Sequence, residues 1–395
     1  MRVFQTGSIS IGHNVMKLCI VTTSFPNSHA TMINNHVRYL FGGETCVCCW
    51  TKVRSEEYDV PILSLGNIKQ KGLNRISAPL FGFWDAAMGL QKRRLCGNVQ
   101  REAERFLKEQ EVDVILCELG NVGATIGRGL LQTGIPIYCY FRGKDASEKL
   151  RSTRQVATYR RYIPKFSGIL SVSGFLVENL REHGISHPNT HILPSGVDVE
   201  LFRPGPKRKN SFVAVGRLIE KKRPDITVRA FCQAAKGHSD ALLTVVGGGP
   251  MQDECMSIAE AAGMGEQVKF LGEQSHDEVR AQLSTSEFFL QHSVTSKLGD
   301  TEGAPTAIQE AMACGCMVIA TRHAGIPELV LEGETGFLVP EHDEEGYRAR
   351  ISDALMRRPD VERMAERSRE YAVTHFDASK LYGELENALR GQARL

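Results

Sequence analysis

Two α/β domains, each a parallel sheet covered by helices, are what the sequence predicts from three observations. The first is length: 395 residues are many for one core and suit two of about 200 each. The second is alternation, because short apolar runs of strand length recur from residue 16 onward, separated by loops and helix-length segments, the pattern of a parallel sheet wrapped by helices. The third is a single unit. An apolar run FFLQHSV (288–294), a loop of small residues, a helix from Pro305 to about Cys314 and a second apolar run CMVIA (316–320) follow one another. The rest of the chain is organised around that unit.

Composition narrows the function classes. With 48 basic against 46 acidic residues, no overall field favours nucleic acid. Eleven cysteines, an odd number without paired spacing, fit a reducing compartment rather than a disulfide framework. Cys46, Cys48 and Cys49 lie in an alternating, strand-like segment with no second ligand pair, so they read as buried thiols and no metal site is expected. No apolar run reaches the roughly 18 residues of a membrane span, and the expected location is the cytoplasm.

The unit 299–321 carries chemistry in its own right. Gly303 and Ala304 have almost no side chain, so backbone can approach a ligand closely, and Pro305 suits the first position of a helix. Unpaired amides at Thr306 and Ala307, with the positive end of the helix dipole, form a phosphate site without a basic side chain. Glu310 lies roughly 7–8 Å further along the axis at about 1.5 Å per residue, where the ribose of a bound nucleotide diphosphate would fall. Glu302, before the helix, faces the other end, where a sugar would sit. The run EGAPTAIQEAMACGCMVIATRHAGIPELV (302–330) resembles the signature of the retaining nucleotide-sugar glycosyltransferases of family four. That family has the GT-B fold, two facing Rossmann-like domains.

Taken in order, the chain reads as follows. Residues 1–15 have weak pattern and read as an upstream extension before Met16, where KLCIVTTSFPN opens the first buried strand. Loop 24–31 and the helix 32–40 stand where the family usually has a glycine-rich acceptor loop; the paired glycines are missing. Asn34, Asn35 and His36 either contact an acceptor hydroxyl or form a polar helix face. A strand over 44–52, a variable segment to about 98, a helix over 101–109 and a strand over 112–117 continue the alternation. Within the variable segment, GFWDAAMGLQKRRL (82–95) joins aromatics to a basic end; it either lies on an anionic membrane surface or packs on its own domain. The strand 136–141 ends in RGKDAS, and the resemblance places Arg142 where relatives carry a histidine that contacts the donor sugar. Arg142 binds either an acidic group of the acceptor, which its fork matches, or Asp145 as a surface pair. A basic helix, the strand 168–172 and the helix 175–183 close the first domain. The Pro-, Gly- and charge-rich run 191–210 resembles the interdomain crossover, with the boundary near Gly205.

In the second domain the strand 211–215 ends at Gly216, Arg217 and Leu218, and Lys222 follows five residues after Arg217. Ligands bind at such carboxyl edges of parallel sheets, and two cations there neutralise a diphosphate leaving group. The resemblance matches Arg217 and Lys222 to the family's phosphate-binding pair, with Arg223 where a glycine is usual. Strand 241–246 ends in GGGP, a tight turn that fails the dinucleotide fingerprint. After strand 267–271, Gly272 and Glu273 stand where relatives hold the nucleotide base. A helix follows over 276–284. Gly325 to Pro327 form a further turn, and 344 onward reads as charged amphipathic helices, the last of them (371–395) returning to the first domain in the fold.

The resemblance implies a nucleotide diphosphate sugar as co-substrate, no other cofactor, a saccharide or lipid-linked acceptor, retention at the anomeric carbon, no metal, and peripheral membrane contact as an option. Arg217, Lys222 and Glu302 carry the catalytic expectation. Gly216, Gly303, Ala304, Thr306, Ala307 and Glu310 carry donor binding, and Asn34, His36 and Arg142 acceptor binding. A sugar-nucleotide epimerase needs placed acids or bases in the first domain that the sequence does not locate. A phosphorylase needs a pyridoxal lysine. A binding protein without chemistry has no need of the full Arg217, Lys222, Glu302 and Glu310 set.

Overall fold

The computed structural model describes residues 16–26, 31–53, 58–72, 74–91, 94–356 and 360–391. The expected extension 1–15, part of the expected acceptor loop (27–30) and Lys92 and Arg93 lie outside the described residues. Among the described residues thirteen strands form two sheets. The first holds β1 (Leu18–Phe25), β2 (Thr45–Lys52), β3 (Ile62–Ser64), β4 (Val114–Glu118), β5 (Ile137–Phe141), β6 (Gly168–Ser171) and β7 (Thr190–Ile192) in the order 3-2-1-4-5-6-7. The second holds β8 (Arg208–Val215), β9 (Leu242–Val246), β10 (Val268–Gly272), β11 (Ser286–Gln291), β12 (Met317–Thr321) and β13 (Gly336–Val339) in the order 10-9-8-11-12-13. Every pairing is parallel, from Leu18 opposite Thr45 to Val318 opposite Gly336.

Strands buried on both faces explain the continuous apolar runs: Leu18 to Val21, Val114 to Cys117 and Met317 to Ala320 are all inaccessible, as central strands under two helical layers must be. Both sheets are doubly wound. Each therefore has a switch point at which strand order reverses, between β1 and β4 and between β8 and β11, and loops leaving the carboxyl ends there splay to form a crevice. The loop after β8 is 216–222 and the loop after β11 is 292–305, so topology brings Lys222 and Glu302 together. The expected strand 288–294 stops at Gln291 because Ser293 N–H donates to Thr321 Oγ1 (3.0 Å) and Val294 N–H to the Lys221 carbonyl (2.8 Å), drawing the chain out of the ladder.

Contacts join the two halves. Thr301 N–H donates to Ser147 Oγ at 3.3 Å, and Arg151 donates to the Lys297 carbonyl at 2.8 Å. The Glu328 carboxylate accepts Gly174 N–H (2.7 Å) and Phe175 N–H (2.8 Å) at the start of the helix Gly174–Glu182, where a negative charge is favoured by the helix dipole. At the far end the helix Ala378–Arg390 lies on the first half: Glu386 accepts Phe41 N–H at 2.6 Å, and the Tyr382 ring meets His36 edge-on at 5.6 Å. Arg369 donates to the carbonyls of Val199, Phe202 and Ala313, fastening the crossover to the second sheet.

Candidate active site

The helix of the expected phosphate site runs Thr306–Ala313. Pro305 is its N-cap rather than its first residue, because its ψ of 120° is extended. Thr306 and Ala307 are thus the first two helical residues, half-buried, and among the described residues their amides make no backbone hydrogen bond. Such amides at a helix start are the orphan donors that bind anions. Gln309 fixes the helix against the crossover, donating to the Ala304 carbonyl (3.2 Å) and accepting Gly196 N–H (3.1 Å).

Glu302 sits just before that start, buried, with Oε1 3.0 Å from Lys222 Nζ and Oε2 3.7 Å from Lys221 Nζ. Burial raises its pKa, but the ammonium of Lys222 and then that of Lys221 outweigh this and hold the carboxylate at about 2. Lys221, itself buried, reaches Asp300 Oδ1 (3.2 Å) and the Thr301 carbonyl (3.1 Å). Through these contacts Lys221 locks the Glu302 loop. Arg217 is exposed, and no side-chain ion pair of it occurs among the described residues. With Gly216 and Lys222 it lines a cavity of about 30 Å³ at the β8 edge. Arg223 takes the left-handed conformation (φ 36°, ψ 56°), which a glycine adopts at no steric cost, and a bidentate pair with Asp225 (2.9 and 2.8 Å) holds it.

Two glycines are required by close approach. A Cβ on Gly303 would lie 2.3 Å from the Arg142 carbonyl oxygen, so the missing side chain serves contact between the two halves as well as any ligand. One on Gly247, in the GGGP turn, would lie 2.1 Å from the Gly216 carbonyl oxygen. That turn buttresses the Arg217 loop. Ala304 is buried behind Gly303.

Glu310, 14% exposed, has its Oε1 3.5 Å from His276 Nε2, and burial pushes its pKa up to about 7. Hydroxyl donors reaching a carboxyl so placed would favour its charged form.

The three expected acceptor contacts come out differently. His36 is buried, with Nδ1 2.5 Å from Glu118 Oε1 and its ring stacked toward Tyr140, so it belongs to the interior of the first half rather than to an open acceptor surface. Arg142 is neither a surface residue nor paired through its side chain to Asp145, which accepts only its backbone N–H (3.0 Å). Its guanidinium forks Glu118 Oε2 (2.9 and 2.7 Å), donates to Ser195 Oγ (3.2 Å) and lies over the Tyr140 ring. A fork already holding one carboxylate is a poor reader of a second. Asn34 is half-buried on the helix Thr31–Tyr39. Burial raises the pKa of Glu118, and Arg142 and His36 together bring it down to about 2. Glu118 was missed; a carboxylate closing the apolar run VILCE was its only signal. Among the described residues no three acidic, His or Cys side chains cluster as a metal site requires.

The fold agrees with what the chain resembles. Residues 200–371 match the family described as "Glycosyl transferases group 1", and residues 52–201 match "Glycosyltransferase Family 4". The chain is 28% identical over 287 residues, 70% of each chain, to the "Putative colanic acid biosynthesis glycosyltransferase WcaL" of Salmonella typhimurium. It is 31% identical over 176 residues, 41% of this chain and 46% of the relative, to a "GDP-mannose-dependent alpha-(1-6)-phosphatidylinositol monomannoside mannosyltransferase" of Mycolicibacterium smegmatis. Among solved structures, Anabaena Alr3699/HepE in complex with UDP superposes with a TM-score of 0.74 at 18% identity, covering 95% of this chain and all of that one. This protein is a glycosyltransferase of the two-domain GT-B class. Each half matches one of the two family descriptions, and neither match spans the whole chain.

Proposed function

We propose that the protein transfers a sugar, with retention of configuration and without a metal, from a nucleotide diphosphate sugar to a hydroxyl of a saccharide or lipid-linked acceptor in polysaccharide or glycolipid assembly. The observation that carries this reading is the Lys222–Glu302 pair beside two helix-start amides at the β8/β11 switch point. Breaking the anomeric bond places negative charge on the departing diphosphate. Lys222, Arg217 and the Thr306 and Ala307 amides oppose it as preorganised donors. Glu302, kept ionised, accepts a hydroxyl of the donor sugar and favours positive charge on its ring, while Glu310 accepts ribose hydroxyls. The polysaccharide role follows the colanic acid relative. Release of nucleoside diphosphate from a panel of uridine, guanosine and thymidine diphosphate sugars, given membrane extract as acceptor and then EDTA, tests it. Turnover that persists in EDTA with an α-linked product from an α-donor is expected; donor binding without turnover against any acceptor would overturn it in favour of a binding protein.

Glu310 gives this reading a pH signature. Ribose hydroxyls donating to it favour its ionised form, so from a starting pKa of about 7 binding expels a proton below neutrality and tightens as pH rises from 6 to 8. Calorimetry with UDP and GDP in two buffers of different ionisation enthalpy is expected to show that release in wild type and a smaller one in Glu310→Gln. Equal release in both would remove Glu310 from the ribose site.

A lipid-linked acceptor also fits the surface. The helix Asn74–Ala87 is anchored through Asp85, which accepts from Arg128 at 3.0 Å, yet it leaves Phe83 71% and Trp84 65% exposed, with Leu80 and Met88 beside them. Arg161 and Lys165 lie against Tyr162, whose ring also faces the Arg128 that anchors this helix, and exposed aromatics with nearby cations are the composition that suits an anionic bilayer surface. Among the described residues no helix is long and apolar enough to cross a membrane. Inserting one large apolar side chain gains about 1.5–3 kcal/mol. Phe83→Ser and Trp84→Ser are therefore each expected to weaken sedimentation with phosphatidylglycerol vesicles roughly tenfold, and a wild type that ignores such vesicles would refute the surface.

A further inference from the structure

The loop 292–305 carries Glu302 and is held, from the carboxyl ends of the neighbouring strands β12 and β13, by a pair of residues to which no role has been given. His323 is buried just after β12, and Glu341 follows β13. Glu302 N–H donates to His323 Nε2 at 3.1 Å, and His323 Nδ1 lies 2.6 Å from Glu341 Oε1. The other Glu341 oxygen accepts Thr295 N–H at 2.9 Å. An imidazole that accepts at Nε2 must carry its proton at Nδ1, and a carboxylate at Nδ1 selects that tautomer. The chain of bonds runs Thr295, Glu341, His323, Glu302, and so ties one end of the loop to the other. The lysines grip the Glu302 carboxylate; the His323 ring grips its backbone. Two attachments at different atoms fix where the carboxylate points, and one would leave it free to swing about the other.

We propose that His323, oriented by Glu341, is a positioning residue for transfer, setting the direction of the Glu302 carboxylate toward the donor sugar while leaving the diphosphate grip to other groups. This rests on the reading of Glu302 given above. A histidine that only filled space would be replaceable by any side chain that kept the fold. A positioning histidine is replaceable by one that keeps the acceptor atom.

Wild type, His323→Ala, His323→Gln, Glu341→Ala and Lys222→Ala decide between these. Each is followed by amide exchange of the peptide 294–305, by melting temperature, by UDP and GDP affinity, and by nucleotide release from UDP-glucose and GDP-mannose. In His323→Ala, exchange over 294–305 is expected to rise about tenfold or more while the strands β8, β11 and β12 keep their protection. With the carboxylate free to swing, kcat is expected to fall roughly 10- to 100-fold with nucleoside diphosphate affinity within about threefold of wild type. Glu341→Ala follows in the same direction, and His323→Gln, whose amide oxygen reaches the place of Nε2, recovers most of both readouts. Unchanged exchange over 294–305 overturns the proposal, as does equal loss of melting temperature and nucleotide affinity in the alanine and glutamine variants. If Lys222→Ala keeps full turnover, the Glu302 reading fails instead, and the exchange data still judge His323 on their own.

Discussion

Lys222→Ala is expected to lower kcat/KM for sugar transfer by about 10²- to 10³-fold, the usual cost of removing one preorganised donor from developing negative charge. The loss should fall on kcat, because charge on the diphosphate grows as the anomeric bond breaks and the ammonium matters most there. Glu302→Gln should be of similar size for a different reason. With Oε1 3.0 Å from Lys222 Nζ, the carboxylate keeps that ammonium in place, and the neutral amide loosens it while losing the charge proposed to face the sugar ring. The two substitutions act on one unit, so Lys222→Ala/Glu302→Gln should be far less damaging than the product of the single effects. Steady-state kinetics of nucleotide release with the single and double variants measures this, and strictly multiplicative losses would show that the residues work apart.

Glu118→Ala carries the largest expected effect on stability. Glu118 is inaccessible and holds the Arg142 guanidinium on one oxygen and the His36 ring on the other. Its removal strands a buried cation, which costs about 3–5 kcal/mol, and at about 2–4 °C per kcal/mol for a domain of this size the melting temperature should fall on the order of 10 °C. The pH dependence has a definite sign. The folded pKa, about 2, lies below the ordinary 4.5, so the contribution is complete above the unfolded value and is lost as pH falls from about 4.5 through about 2. Glu118→Leu combined with Arg142→Met should regain most of the loss, since replacing a whole buried pair by apolar groups is often neutral. Thermal unfolding of the single and double variants between pH 3 and pH 7 is the check.

The parts that were legible before the structure are those whose signal is local. Central strands buried on both faces spell themselves out, as MVIAT and VILCE do, and a helix opening after Gly-Ala-Pro with a glutamate inside it is a local pattern too. Strands β3, β7 and β13 were missed because three- and four-residue edge strands such as THI and GFLV carry too few residues to show a period. The helix Pro224–Ala234 was missed because nearly all of it is buried, which erases the polar face that marks a helix. Site residues divide in the same way. Glu302 and Lys222 announce themselves by spacing within a loop. His36 and Arg142 looked free because the carboxylate that occupies both comes from a strand 82 residues from one and 24 from the other. His323 stood inside the stretch that drew attention, and its role was hidden because its other partner, Glu341, lies 18 residues on.

The central claim is that a diphosphate is gripped between the start of the helix Thr306–Ala313 and the Lys222 ammonium, with one carboxylate on either side of it. A crystal structure of the protein soaked with UDP and, separately, with GDP tests this most directly. The expected result is phosphate oxygens within about 2.7–3.2 Å of the Thr306 and Ala307 amides and of Lys222 Nζ, and ribose hydroxyls on Glu310. A diphosphate seated away from that helix start, with Lys222 and Glu310 untouched, would contradict it.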